Sequence, residues 1–308
     1  MHTHISLIYS RYLATGCSYK DIHYSYRCGS ATAGKIIPDV CKKIWENLYD
    51  LCFPAYTSAG WLNIAEGFKV QANFPNCLGG AVDGKHIQMF KPTHSASQYY
   101  NWKHCFSIVL MAIADANYRF LFIDAGSFGR ASDSTIFANS EICQKMRNNT
   151  LDLPNPQSIS ENGVNLPFTF LGDEAFGLSK HMMRPYGGKN LNKKKKIYNY
   201  RHCRGRRYIE CAFGLLTSKW RIFHTPINVK VETAELIVKA CCTLHNFVRA
   251  RDGYDYSDLF NSCERLEDLE QNVRGAGYDR PAMTNREKLA DYFVSAAGAL
   301  SWQENMIV

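Results

Sequence analysis

The sequence predicts an α/β protein: a mixed sheet covered by helices, preceded by a helical region. Three observations predict it. Short, almost continuously apolar runs lie between residues 79 and 176, as in strands buried on both faces. Apolar residues at helical spacing flank those runs on both sides. The order is three strands, a helix, a strand, then helices, which suits a sheet wrapped by helices.

Residues 1–56 read as helical. Two candidate helices flank a break at Cys28-Gly29-Ser30, with Ser30 able to cap the second. Pro38 marks either a kink or the start of a longer helix carrying Val40, Ile44 and Leu48. Helix, break and basic helix fit a helix-turn-helix DNA reader, or a plain helical pair packed on the main domain. Residues 79–90 then read as a strand with an Asp83-Gly84 bend. Residues 107–126 read as two strands joined at Asp115-Ala116-Asn117. Residues 132–146 read as one helix capped by Ser132 or Asp133. Residues 166–176 read as a buried strand ending in Gly172-Asp173. A basic loop follows over 187–205, then a helix with Ile209, Phe213, Leu216 and Trp220 on one side, then a helix from Val231. Trp220 and Phe213 are expected in the core. The main domain spans 73–248, and 251–308 is expected to be an acidic, partly disordered tail.

Composition narrows the function. No apolar run reaches the roughly 18–20 residues of a membrane span, and the first residues lack a basic head before an apolar centre. The expectation is an intracellular chain without a membrane partner. The 12 cysteines include no CxxC pair, so neither a zinc knuckle nor a disulfide scaffold is expected. Cys241, Cys242 and His245 share a helix face but lack a fourth zinc ligand. The charge is more telling. Residues 184–230 carry thirteen Lys or Arg and one acid, whereas 251–291 carry ten acids and six bases. Such a concentrated positive field suits a polyanion such as nucleic acid, or serves only as a solubilising surface.

Four acids stand out: Asp83 in or just after the first strand, Asp133 opening a helix, Asp173 ending a strand and Glu210 on a helix beside apolar Ile209. Strand ends are where open α/β sheets build sites. Carboxylates from separate elements can converge on paired divalent ions, which activate water and neutralise a leaving oxygen. Each acid also has a plainer role: a turn at Asp83, a helix cap at Asp133, a turn or cap at Asp173, and a salt bridge from Glu210 to Arg206 or Arg207.

The words around these acids are NFPNCLGGAVDGKHIQMFKP, YYNWKHCFSIVLMAIADANYRFLFIDAGSFGRASDSTIFANS, LGDEAFGLSKHMMRPY, YNYRHCRGRRYIECAFGLLTSKWRIFHTPI and CCTLHNFV. In that order they resemble Harbinger-type (IS5-like) DDE transposases and nucleases derived from them. The resemblance implies an RNase H-like sheet flanked by helices, and a divalent-metal site for Mg²⁺ or Mn²⁺. Asp83, Asp173 and Glu210 are the implied catalytic acids, and Asp133 joins them as a metal ligand. It implies DNA endonuclease activity, a nuclear setting and a separate Myb-like DNA-binding partner; a homo-oligomer is compatible with it. Around Glu210, the arginines Arg201, Arg204, Arg206 and Arg207 are then expected to contact DNA phosphates. Lys193, Lys194, Lys195 and Lys196 would form a flexible basic clamp. His86 would touch substrate or metal, or be a satisfied structural histidine. Two rivals stand beside this reading. One is a non-cutting DNA- or chromatin-binding protein; the other is a module that carries the Myb-like partner.

Overall fold

A computed structural model describes residues 2–53, 57–161, 163–253 and 279–307. The chain opens with α1 (His2–Thr15), α2 (Tyr19–Tyr26) and α3 (Ser30–Cys52). Ser18 starts α2 through a capping box with Asp21. Arg27 ends it in the left-handed conformation at φ 51°. Gly29, not Ser30, is the N-cap of α3, and Pro38 is carried inside that helix. Ile8, Tyr12, Leu13, Ile22, Ile37 and Cys41 enter one core with Val238, Cys241 and Cys242. Beyond the elements expected from sequence stands α4 (Ser58–Gln71), which Thr57 caps by accepting from Gly60 N.

The sheet is built from β1 (Asp83–Gln88), β2 (Ser107–Ala114) and β3 (Phe120–Phe128), antiparallel in the order β1-β2-β3. Every residue of β2 is buried, as its unbroken apolar run predicts. The strand alternates between two cores. Ile108, Leu110 and Ala112 face one, and Val109, Met111 and Ile113 face the other. The β2–β3 connection falls where expected, with Asp115 Oδ1 accepting from Asn117 N and Arg119 N.

The segment read as one helix is two, α5 (Asp133–Asn139) and α6 (Glu141–Arg147). Ser140 ends the first and caps the second, because its hydroxyl takes the Cys143 N–H. A short hairpin follows, β4 (Gln157–Ser158) with β5 (Asn165–Leu166). The strand expected over 166–176 reduces to β6 (Phe170–Leu171), paired in parallel with β7 (Met182–Met183). Leu78 N donates to Thr169 O and Val82 N to Leu171 O. These bonds lay β6 alongside the segment that enters β1.

The basic loop expected over 187–205 is helical from Lys193 onward. It forms the first half of α7 (Lys193–Lys219), which Asn192 caps. Ile197, Tyr198, Arg201, His202, Gly205, Ile209, Ala212, Phe213 and Leu216 make one continuous buried stripe. That stripe crosses the charge run that suggested a loop. Trp220 follows it into the core. After α8 (Val231–Asp252) comes α9 (Arg280–Val294), packed on α7. Residues 279–307 therefore depart from the disordered tail expected there: Leu289, Ala290 and Phe293 are buried, and Glu287, Asp291 and Glu304 meet lysines of α7. The part of that tail over 254–278 lies outside the described residues. Among the described residues no helix is long and apolar enough to cross a membrane.

Candidate active site

Asp83 is the first residue of β1, and the strand's alternation decides what surrounds it. Asp83 pairs with Ala112 and shares the face that packs on α7, where Phe213 and Ile209 lie. Gly84 pairs with Met111 and faces the opposite core, where α5 packs. The site thus draws acids from both faces of the sheet at one strand end.

From α5 comes Asp133. Ser132 is the cap of that helix, taking the Thr135 N–H, so Asp133 is not needed for capping. Its carboxylate lies against Gly84. A Cβ added there would stand 2.2 Å from Oδ1 and 2.6 Å from Cγ. Only the missing side chain of Gly84 lets Asp133 come this close to Asp83. From α7 comes Glu210, brought near because α7 rides close on β6. A Cβ at Gly205 would stand 2.4 Å from Leu171 Cδ1. Asp173 follows β6 directly, and the Val82–Leu171 bond fixes that strand end beside Asp83. Asp173 Oδ1 accepts from Ala175 N at 2.8 Å, so this acid also makes the turn its plainer reading foresaw.

The electrostatics record the crowding. Burial pushes the Asp83 carboxyl up to about 7; Arg206 opposes the rise, while Asp133, Glu210 and Asp173 add to it. Asp133 is raised too, first by burial and then by Asp173. Among these acids lies Arg206, itself buried. It donates from Nη2 to Glu210 Oε1 at 3.2 Å, while its Nε has no hydrogen-bond partner among the described residues. The foreseen helix salt bridge of Glu210 is therefore made to Arg206. No three His, Cys, Asp or Glu residues among those described are already grouped to hold a metal ion. The donor chemistry nevertheless fits a hard divalent cation: oxygen ligands only, mutually repelling, with a glycine cradle that a side chain would fill.

The basic residues divide. Arg201 is 2% exposed; it donates to Gln303 Oε1 and to the carbonyls of Gly298 and Asn73, and stacks on Phe293. It clasps the C-terminal segment, which corrects the phosphate contact expected of it. Arg204 donates to Gln71 O and lies over Trp302, and Arg207 is exposed. The lysines expected to form a flexible clamp instead make the first turn of α7. Lys193 pairs with Glu304, and Lys194 with Glu287 and Asp291, while Lys195 lies over the Tyr186 ring and Lys196 is exposed. His86 Nδ1 is 2.8 Å from Ser107 Oγ, and burial lowers its pKa, followed by the effect of Lys103. His245 is 2.8 Å through Nε2 from Tyr118 O, and burial takes it down to about 4. Sequence reasoning missed Gly84 and Gly205 as spacers, because the groups they make room for, Asp133 and Leu171, are distant in sequence.

At 27% identity, the chain resembles a protein of Arabidopsis thaliana named ALP1-like, over 91% of this chain and 68% of the relative. It is also similar to the Arabidopsis thaliana protein named antagonist of like heterochromatin protein 1, with 24% identity over 86% of this chain and 69% of that one. No solved structure matches. The resemblance to Harbinger-type transposases and their derivatives holds. A family profile described as DDE superfamily endonuclease matches residues 82–246, more than half of the chain and the stretch that supplies all four acids, so the chain belongs to the DDE superfamily endonucleases.

Proposed function

We propose that this chain is a divalent-metal-dependent DNA endonuclease, a transposase or a nuclease derived from one. What supports this reading is the Asp83 carboxyl, raised to about 7 first by burial and then by Asp133, Glu210 and Asp173, acids that come from separate parts of the fold. Asp83, Asp173 and Glu210, with Asp133, would hold Mg²⁺ or Mn²⁺. When bound, such ions supply an activated water and neutralise the leaving oxygen. The chain's own residues do the rest. Arg206 orients Glu210, donating to it from Nη2 at 3.2 Å. Exposed Arg207 and Lys196, on the same helix, hold the backbone of the nucleic acid. Lys193 and Lys194 join them only on leaving their acidic partners.

The order β3-β2-β1, continued by β6 and β7 beyond the entry of β1, supports an RNase H-like fold. The outer face of α3 supports a protein partner over duplex DNA, because Lys35, Lys42 and Lys43 there are balanced by Asp39, Glu46 and Asp50. A Myb-like factor and a nuclear setting accord with it.

The test is supercoiled plasmid incubated with the full chain and Mn²⁺. Nicked product is expected with the ion, none with a chelator, and none with Asp83→Ala at unchanged circular dichroism. Cleavage by Asp83→Ala overturns the assignment. A second reading, a non-cutting chromatin protein, is favoured by the 3.2 Å Arg206–Glu210 pair and by the name of the second relative. It predicts DNA binding without any nick.

A further inference from the structure

The β1–β2 connection, residues 89–106, contains no acid, and it exposes aromatic rings beside cations. Trp102 is 75% exposed, Phe90 57% and Tyr100 40%. Lys103 Nζ lies 4.9 Å over the Trp102 ring, and Lys91 Nζ 5.7 Å over Phe106. Exposing a tryptophan forgoes a large burial gain, and a lone exposed ring needs no explanation. Here the ring sits on a built turn. Asn101 is buried; its Oδ1 accepts from Lys103 N at 2.9 Å and from Cys105 N at 3.2 Å. Its Nδ2 donates to Ser107 Oγ at 2.8 Å, the same hydroxyl that meets His86 on β1. Asn101 N donates to Cys105 O and His104 N to Asn101 O. Trp102 and Lys103 are thus held outward on a rigid turn tied to the strand that starts at Asp83.

We propose that Trp102, with Lys103 over its ring, is a stacking platform for an unpaired base of DNA that runs along β1 away from the cleaved bond. A flat ring accepts any base face, and the adjacent ammonium neutralises the neighbouring phosphate, the combination that single-strand binders use. The platform rests on the endonuclease reading above and lies at the end of β1 away from Asp83, so it meets DNA several nucleotides from the cleaved bond. It predicts a preference for duplexes with a single-stranded tail, or for single strands, over blunt duplex.

The experiment is fluorescence anisotropy of the full chain in chelator, with a labelled blunt duplex and the same duplex carrying a single-stranded tail. Trp102→Ala and Trp102→Phe are compared with wild type, all with melting temperatures checked. Trp102→Ala should weaken binding to the tailed duplex about tenfold or more and leave the blunt duplex unchanged. Trp102→Phe should keep most of the affinity. Equal binding of the tailed duplex by wild type and Trp102→Ala overturns the platform and leaves the endonuclease reading standing. Wild-type binding to neither DNA overturns both.

Discussion

Asp83 shows how a single carboxyl records its surroundings. Its folded value near 7 stands well above the usual 3.8. Between those values the metal-free folded chain keeps a proton that the unfolded chain has lost. Stability therefore falls as pH rises through that window and levels off above about 7. Asp83→Asn removes this dependence. Without metal, the variant should melt higher than wild type at pH 8, with the gap closing toward pH 4; a constant gap across a thermal series at those pH values contradicts the crowded-carboxylate account. All four acids could be picked out in the sequence because each sits in a longer recognisable word. Gly84's function could not, since its meaning lies in Asp133 crossing from the opposite face. Nor could Arg201 and Arg206 be told apart by composition: one clasps Gln303 and Gly298, the other meets Glu210.

At the scale of elements, long periodic segments read well from sequence and charged ones did not. β2 and β3 stand where their apolar runs put them. α7 absorbs a run of four lysines because the stripe from Ile197 to Leu216 is continuous beneath it. Four cations in a first helical turn oppose the helix dipole, and acids of α9 and the following turn offset that cost. This pairing spans about a hundred residues, so no local pattern could announce it. The packing of α9 gives its own prediction. Phe293 is fully buried against Phe74, Tyr198 and Arg201. Phe293→Ala should cost about 3–5 kcal/mol in urea unfolding. A loss below about 1 kcal/mol would mean that α9 is not docked as described.

Across the whole molecule, one sheet and two cores bring together residues 127 positions apart, from Asp83 to Glu210. Lys193 and Lys194 of the basic segment are answered within the chain by Glu304, Glu287 and Asp291. Exposed Arg207 and Lys196 and the aromatic turn at Trp102 are left to meet nucleic acid. If these acids form one divalent-cation site, isothermal titration of Mn²⁺ into the full chain, against the Asp83→Ala/Asp173→Ala double variant, reads it out. Wild type should bind, with proton release near pH 7 as Asp83 ionises, and the variant should not. Equal binding by the two proteins, or none by wild type, would contradict it.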